Sequence, residues 1–346
     1  MITSPILDLA RALGVEQDPD VSQLIDAEAK SKVALEEMRE FLVDRCRSTD
    51  ELDIVAFGSL ARHEWTDRSD FDYLVLVHDD VSAKKTRKAL LAAEAAREHL
   101  EANEPGATGM FGVVASALDL LGRIGLQEDT NESLTRRILL LEESVSLLNQ
   151  TKHNKLVDRI VQRYLVEYDE RPKKGVPRLL LNDTIRYWRT LAVDYQAKNW
   201  RRPSETGWGL RYLKLRTTRK LCFASMFAVL LLPTLEQEPV TSEFLSPKFQ
   251  IPALGRFIFL LPHLSDDGKE RMQEVLRIAG RFNGRLASDE FRRNASSIPS
   301  NTPIALASED FQQASNDASQ LQELLTYIFF RDNETIRQAS EKYALL

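Results

Sequence analysis

One stretch of the chain constrains the fold more than any other. Leu52–Val77 reads LDIVAFGSLARHEWTDRSDFDYLVLV. Its apolar runs, Leu52–Phe57 and Phe71–Val77, predict two short buried strands. Between them, Gly58-Ser59 predicts a sharp turn, and Leu60–Trp65 predicts about one and a half helical turns. The stretch therefore predicts a strand, a turn, a short helix and a second strand in direct succession.

Two carboxylates stand at the start of the second predicted strand. Asp70 and Asp72 are two residues apart, so an extended backbone projects them from one face of the sheet, with Phe71 and Tyr73 on the other. Their hard oxygens suit Mg²⁺, which proteins hold with one or two carboxylates plus substrate phosphates. A second ion about 3.5–4 Å from the first would complete a clamp for in-line phosphoryl displacement. We therefore expect two Mg²⁺ ions at these aspartates, with Mn²⁺ as an alternative.

The glycine turn has the properties of a phosphate site. Gly58 lets the backbone approach a triphosphate closely, and the Ser59 hydroxyl and the first N–H groups of the following helix can hold phosphate oxygens. Arg62 and Arg68 lie in the same stretch and are candidate charge partners of the triphosphate. These four residues are the nucleotide contacts that the stretch predicts.

The order of strand, Gly-Ser turn and Asp-x-Asp strand resembles the polymerase β-like nucleotidyltransferase superfamily. The resemblance implies an α+β fold whose core is a small mixed sheet with helices. It also implies transfer of a nucleoside monophosphate from a nucleoside triphosphate to a hydroxyl group, with release of pyrophosphate. Helices predicted over Asp20–Arg47 and Ala83–Glu101 and a strand predicted over Met110–Ala115 would complete the minimal core.

The superfamily normally supplies a third carboxylate from a later strand, and this chain departs from that pattern. The expected strand, Met110–Ala115, contains no acidic residue. Asp119 lies just beyond that strand, and Glu142 and Glu143 lie in the run LTRRILLLEESVSLLN, which predicts a helix. The third ligand stays unassigned among these three acids. Without a third acid, the chain would bind a nucleotide without efficient turnover.

The length and composition of the chain are those of a globular enzyme with about two domains. Its 346 residues are 43% hydrophobic and 28% charged, which is an ordinary balance for a globular protein. The net charge of −6 and the pI near 5.6 exclude a globally basic surface of the kind that holds long nucleic acid.

Several features predict a cytoplasmic protein without membrane insertion. Cys46 and Cys222 are far apart in sequence, which suggests reduced thiols rather than a disulfide framework. The N-terminus lacks the basic region and apolar run of a secretory signal. The most apolar stretch, Leu221–Leu232, is too short to span a bilayer.

From Lys152 onward the sequence pattern is almost entirely helical. The basic, proline-containing segment Arg171–Pro177 marks the boundary between a catalytic domain at residues 1–170 and a helical domain at residues 171–346. We expect the helical domain to close over the nucleotide. Lys214 lies in the basic part of an apolar helix and is the first candidate there for a phosphate contact. The alternative for this basic helix is a surface paired with acidic side chains.

The last residues, SEKYALL, contain Tyr343 on a tail that could be mobile. A lone nucleotidyltransferase core, a helical C-terminal lobe and a tyrosine near the end are similar to the Hailong nucleotidyltransferases of bacterial anti-phage defence. That resemblance implies single-stranded DNA oligomers made from deoxy-ATP and primed on Tyr343. A short oligonucleotide product and an effector protein encoded alongside would be the partners. The alternative for Tyr343 is packing within a terminal amphipathic helix.

Other functions of the same superfamily remain open. The runs IGLQEDTN, LTRRILLLEES and LLLNDTIRYW, within roughly Gly106–Lys220, also resemble bacterial nucleotidyltransferases of the protein-PII uridylyltransferase-like branch. A toxin or regulator would modify a protein or transfer RNA, and an antibiotic-modifying enzyme would act on a small molecule. A non-catalytic nucleotide-binding protein is a further alternative.

One later segment bears on oligomeric state. Phe244–Leu261 is largely apolar, with three prolines in or beside it. We expect it to wrap the helical lobe. If its apolar side chains are exposed, they are compatible with a dimer contact.

Overall fold

The structure is a computed structural model, and it divides the chain into two compact units. The sheet unit comprises Ala27–Lys173 and Pro239–Ala253, and the helical unit comprises Met1–Asp26, Lys174–Glu238 and Leu254–Leu346. The boundary between residues 170 and 171 falls outside the described residues, as does the start of the linker Arg171–Pro177, so the two predicted domains stay a prediction. The described residues are 4–46, 51–105, 109–122, 124–125, 127, 129–166, 174–201 and 207–344.

The first half of the chain alternates helices with four short strands. Its elements are α1 (Pro5–Ala12), α2 (Pro19–Cys46), β1 (Leu52–Phe57), α3 (Gly58–Ala61), β2 (Tyr73–Val77), α4 (Ala83–His99), β3 (Val113–Ser116), α5 (Ala117–Gly122), α6 (Asn131–Glu142), β4 (Ser144–Ser146) and α7 (Gln150–Tyr164).

The four strands form one mixed sheet with the order β3-β2-β1-β4. β1 is antiparallel to β2 and to β4, whereas β2 is parallel to β3. The parallel pair is possible because α4 carries the chain back across the sheet between β2 and β3. This small mixed sheet with helices confirms the α+β fold class that the sequence predicts.

The core of the sheet unit lies on the face that carries Phe71 and Tyr73. Both rings pack with buried side chains of α2, such as Met38 and Leu42, and with the alanines of α4. Alanines let α4 approach the sheet closely, and the helix is capped by Ser82, whose hydroxyl accepts a hydrogen bond from a backbone N–H one turn later. Full burial of a side chain such as Leu contributes about 1.5–3 kcal/mol. This packing holds β2 in place from one face.

Two predicted elements of the sheet unit differ from the observed ones. The run LTRRILLLEESVSLLN does not form one helix, because α6 ends at Glu142 and Ser144–Ser146 pairs with β1 as β4. The third strand begins at Val113 rather than at Met110. Gly112, just before it, has a φ of +71°, which interrupts the extended backbone.

The second half of the chain is helical, as predicted. Its α-helices are α8 (Arg178–Arg201), α9 (Trp208–Lys214), α10 (Lys220–Leu235), α11 (Ser242–Phe249), α12 (Asp266–Ala287), α13 (Asp289–Ser297), α14 (Glu309–Tyr327) and α15 (Glu334–Ala344). Two π-helical segments, Leu215–Arg219 and Ile328–Asp332, continue α9 and α14, and short 3₁₀ helices cover Ala253–Phe259, Leu261–His263 and Ile304–Leu306.

The helical run through α9 and α10 is longer than the apolar stretch Leu221–Leu232. By length and composition, Trp208–Leu235 could cross a membrane. However, 72% of its most apolar window is buried inside the protein. The run therefore has the burial of a core helix of the helical unit.

The prediction that Phe244–Leu261 wraps the helical lobe is wrong for its first part. α11 belongs to the sheet unit, where the Ser246 hydroxyl donates a hydrogen bond to Asp158 of α7 at 3.1 Å. Most apolar side chains of the segment, such as Leu245 and Phe257, are buried, and the others, such as Phe244 and Phe259, are partly buried. They are therefore not the exposed surface that a dimer contact through this segment would need.

Candidate active site

The turn after β1 places Gly58 beside Asp72. The Phe57 N–H donates a hydrogen bond to the Asp72 carbonyl at 2.9 Å, so the end of β1 lies next to this aspartate. Gly58 has a φ of +69°, a conformation that side chains other than glycine rarely adopt. A Cβ atom at residue 58 would lie 3.2 Å from Oδ2 of Asp72. Glycine therefore supplies the turn geometry and also leaves room at the carboxylate.

The helix that follows the turn is shorter than predicted. α3 ends at Ala61, and not at Trp65, because His63 has a φ of +61° and breaks the helical path. Ser59 lies in the single turn of α3 and is half-buried. Its carbonyl accepts a hydrogen bond from the Glu64 N–H at 2.8 Å, which closes the loop back onto the turn.

The backbone of the Asp-x-Asp segment is held on both sides. Asp70 forms a parallel bridge with Asn103, and the Phe71 N–H donates to the Asn103 carbonyl at 3.0 Å. On the other side, the Asp72 carbonyl accepts the Phe57 N–H. Regular pairing of β2 begins only at Tyr73, two residues later than predicted. The short bridge nevertheless keeps this segment extended.

The predicted alternation of side chains is confirmed. Phe71 and Tyr73 are buried with their rings stacked at 5.1 Å, and the Tyr73 hydroxyl donates to Glu94 at 2.6 Å. Burial and this carboxylate raise the pKa of Tyr73. Asp70 and Asp72 are half-buried between these core residues. The segment thus separates two anchoring aromatics from two carboxylates that solvent can reach.

The two aspartates have the donor chemistry of a magnesium site shared with a substrate. Among the residues that the structure describes, no group of three His, Cys, Asp or Glu side chains could hold a metal ion. Mg²⁺ keeps several oxygen ligands from water or phosphate and commonly takes only one or two carboxylates from the protein. Asp70, Asp72 and the space left by Gly58 fit such an ion, or Mn²⁺, when a triphosphate supplies further oxygens.

Arg62 is not an open charge partner for a phosphate. Its Nε donates to Glu64 at 2.8 Å, and its guanidinium also pairs with Glu143, while all three side chains are buried. The pairing with Glu143 ties the end of α3 to the residue just before β4. Arg62 therefore has a structural contact where the sequence predicted a nucleotide contact.

The three candidates for a third carboxylate lie in different surroundings. Asp119 is exposed on α5, and its N–H hydrogen-bonds to the Ser116 hydroxyl at 3.3 Å. Glu142 is buried at the last residue of α6. Glu143 follows it and pairs with Arg62. β3, where the superfamily places an acid, reads Val-Val-Ala-Ser.

The remaining predicted site residues are divided between the two units. Arg68 is exposed in the turn before Asp70, in the sheet unit. Lys214 ends α9, and Tyr343 lies near the end of α15, both in the helical unit. Tyr343 is 7% exposed and packs near Gly175, with the Arg178 guanidinium 5.8 Å from its ring centre. The structure therefore shows it as a packed helical residue rather than as part of a mobile tail.

Sequence reasoning missed two residues that support the site. Asn103 bridges Asp70, and its side chain also donates to the Arg68 carbonyl at 3.0 Å. Glu64 shares Arg62 with Glu143. An asparagine in the loop before β3 signals a turn in sequence, and its pairing with Asp70 depends on a distant contact. No local pattern could have found it.

The comparison with known families agrees with this geometry. Residues 35–165 match the family model described as a nucleotidyltransferase domain. No curated protein matches the chain. The matched residues include all four strands, the Gly58 turn and both aspartates. The match therefore supports a nucleotidyltransferase domain over residues 35–165.

Proposed function

We propose that this protein transfers a nucleoside monophosphate from a nucleoside triphosphate to a hydroxyl group and releases pyrophosphate. The observation that carries the proposal is the placement of Gly58 against Asp72, within a segment that matches a nucleotidyltransferase domain. A glycine that clears a carboxylate at the end of a strand makes room for a phosphate held next to a metal ligand. Asp70 lies two residues earlier on the same bridged segment.

Each residue of the Gly58 turn and the Asp-x-Asp segment has a distinct role in the proposal. Asp70 and Asp72 hold Mg²⁺ or Mn²⁺, and the Ser59 hydroxyl donates a hydrogen bond to a phosphate oxygen. When bound, two such ions neutralise the triphosphate and stabilise the attacking and leaving oxygens. The buried rings of Phe71 and Tyr73 keep the carboxylates in register. The chain thus orients the α-phosphate for in-line attack.

The cationic side chains contribute in two ways. Arg68 is exposed and lies two residues before Asp70, so it is the candidate in the sheet unit for a direct phosphate contact. Lys214 is the candidate in the helical unit. Arg62 acts instead as a positioning residue, because its buried carboxylate partners anchor α3 and the turn.

The resemblance to the Hailong nucleotidyltransferases extends the proposal to the product. We propose a nucleotide or short single-stranded DNA signal, made in the cytoplasm for anti-phage defence, with deoxy-ATP as the first nucleotide to test. Tyr343 is packed in this conformation, which argues against its hydroxyl acting as a primer here. Priming would require the last turn of α15 to leave its place.

A second candidate function is nucleotide binding without turnover. The lack of an acid in β3 favours it, because a third carboxylate normally completes the catalytic set. Transfer to a protein, a transfer RNA or a small molecule differs from the main proposal only in the acceptor.

Pyrophosphate release from each ribo- and deoxynucleoside triphosphate with Mg²⁺ tests the proposal. We expect release with at least one nucleotide, and a loss of about a thousandfold in Asp72→Asn, since the carboxylate acts on developing charge. Asp67→Asn is the matched control, because Asp67 is exposed in the neighbouring turn. Nucleotide binding without release, in the presence of candidate acceptors, would establish the second candidate. Intact mass of wild type and Tyr343→Phe shows whether the product is linked to Tyr343.

A further inference from the structure

The helical unit contains an open cavity of about 390 Å³. This volume lies within the range of roughly 300–1,000 Å³ that is typical of small-molecule sites. Three helical faces form it, each with residues at i, i+3 and i+4 spacing. They are Ile185, Trp188 and Arg189 of α8, Lys220, Phe223, Ala224 and Phe227 of α10, and Gln322, Leu325, Thr326 and Phe329 of α14 and its continuation. Phe330 and Ala344 complete the lining.

Aromatic rings form one wall of the cavity. Trp188 and Phe223 stack with ring centres 5.5 Å apart, and Phe223 is nearly parallel to Phe227 at 6.2 Å. Phe329 meets Phe227 edge-on at 5.1 Å. Trp188 and Phe223 are only partly buried, so their ring surfaces reach the cavity. Such a wall favours a flat aromatic ligand, because ring faces bind other ring faces in offset stacking.

The charged groups at the cavity are cationic. Lys220 and Arg189 line it, and none of the described lining residues is acidic. Burial and the nearby Arg216 lower the pKa of the Lys220 ammonium to about 8. A partly desolvated ammonium beside a second cation is unfavourable unless an anion joins it. The cavity therefore combines cationic partners for an anion with an aromatic wall.

Both π-helical segments border this cavity. Lys220 directly follows Leu215–Arg219, and Phe329 lies within Ile328–Asp332. π-Helical turns are rare and occur frequently at functional sites, since the inserted residue shifts the side chains that follow. Their position here is a second observation, independent of charge, that marks the cavity as a site.

We propose that this cavity binds a planar aromatic anion of the nucleoside monophosphate class. The base stacks on Trp188 and Phe223, and the phosphate pairs with Lys220 and Arg189. One N–H of the Gln322 amide donates to Thr326, and its other N–H and its oxygen provide the hydrogen-bonding groups for the edge of the base. The lining includes none of the candidate catalytic residues Gly58, Asp70 and Asp72. The proposal does not depend on the transfer reaction.

Calorimetric titration with adenosine 5′-monophosphate tests this site. The full chain carries Asp72→Asn and is kept in EDTA, so that metal-dependent binding at Asp70 and Asp72 is suppressed. We expect one molecule bound per chain. Adenosine, which lacks the phosphate, and ribose 5-phosphate, which lacks the base, should each bind at least about tenfold more weakly. Octanoate, an aliphatic anion, should also bind more weakly, and tighter binding of octanoate would overturn the proposal.

Variants in the cavity locate the site. Lys220→Gln and Phe223→Leu should each weaken binding by about tenfold, through a lost charged contact and a lost stacking face. Lys269→Gln, at a half-exposed lysine of α12, is the matched control and should bind like the parent chain. Quenching of Trp188 fluorescence, identified by difference from Trp188→Phe, checks the location in the unmutated chain. Binding that survives both cavity variants, or leaves Trp188 fluorescence unchanged, would overturn the proposal.

Discussion

The two ends of β1 hold buried charge in different ways. At the C-terminal end, where the Gly58 turn begins, Arg62 pairs with two buried carboxylates. At the N-terminal end, Asp53 is fully buried, and one of its oxygens accepts hydrogen bonds from the Ser146 hydroxyl and the N–H groups of Leu148 and Asn149. One end therefore uses opposite charges, and the other uses neutral donors.

This difference separates a paired charge from a buried carboxyl that has no cationic partner among its described hydrogen-bond donors. Arginine stays protonated throughout the physiological range, so the guanidinium of Arg62 keeps its charge beside Glu64 and Glu143. Neutral donors do not fully replace water around Asp53, and burial raises the pKa of its carboxyl to about 6. The end of β1 next to the candidate site thus has an ion pair, whereas the other end has a lone carboxyl whose pKa is raised.

The largest expected loss of stability follows from removing Arg62. Arg62→Met would leave Glu64 and Glu143 buried without their guanidinium, which destabilises a protein by about 3–5 kcal/mol. Urea unfolding at pH 7 measures this loss. Because the pair anchors α3, pyrophosphate release should fall as well.

Arg136→Met is the control for this prediction. Arg136 pairs with Glu132 at 2.6 Å, but Glu132 is 56% exposed, so water can replace the lost partner. We expect a loss of less than about 1 kcal/mol. Equal losses of stability in the two variants would show that burial of Arg62 and its carboxylates does not add to the cost of removing the arginine.

The elements around the turn could be predicted because their signals are local. β1 begins and ends at the predicted residues Leu52 and Phe57, where a continuous apolar run meets a glycine. α4 begins at Ala83 as predicted, after a serine cap. Asp70 and Asp72 could be identified as a pair because strand alternation depends only on neighbouring residues. The fold class follows from these pieces.

The supports of the site could not be predicted because they join distant parts of the chain. Arg62 and Glu143 are 81 residues apart, and no local pattern connects them. β4 is a three-residue strand inside an apolar run with helical spacing, and it exists through its pairing with β1. Tertiary contact overrides local propensity in both cases. The same contacts turn Arg62 from a predicted phosphate ligand into an anchor.

The next largest expected effect on the free energy of unfolding comes from His153, and this effect depends on pH. The Ser144 hydroxyl donates to the Leu140 carbonyl at 2.7 Å, so it accepts from Nε2–H of a neutral His153 at 2.8 Å. Burial lowers the pKa of His153 to about 4. Its contribution is present above pH 6.5 and is lost as the pH falls through about 4, a change of about 3 kcal/mol at most.

His153→Gln removes this titration. Urea unfolding at several pH values between 4 and 7 should show wild type gaining stability relative to the variant as the pH rises. A constant difference over this range would contradict the prediction. It would mean that His153 titrates alike in the folded and unfolded chains.

Asp53 should change the pH dependence of stability in the direction opposite to His153, by a slightly smaller amount. Its folded pKa lies above the unfolded value of 3.8, so its contribution is fully present below that pH and is lost as the pH rises through about 6. Relative to Asp53→Asn, wild type should lose up to about 3 kcal/mol between pH 4 and 7.

The pH ranges in which His153 and Asp53 titrate overlap. Folding near pH 5 therefore releases a proton from His153 and takes one up at Asp53, with little net uptake. The double variant Asp53→Asn, His153→Gln should therefore resemble wild type in pH dependence more than either single variant does.

The smallest predicted change in stability, apart from the Arg136 control, tests the candidate site itself. Gly58 and Gly14 both have a φ of +69°, but a Cβ at residue 14 would meet no atom within 4 Å, whereas one at residue 58 would lie 3.2 Å from Asp72 Oδ2. Gly58→Ala and Gly14→Ala should each lose about 1–2 kcal/mol, the backbone penalty of this conformation. The change at residue 58 should also displace the Asp72 carboxylate and slow pyrophosphate release by about a hundredfold. Full activity in Gly58→Ala, measured beside Gly14→Ala, would show that the close approach of the turn to Asp72 has no role in the reaction.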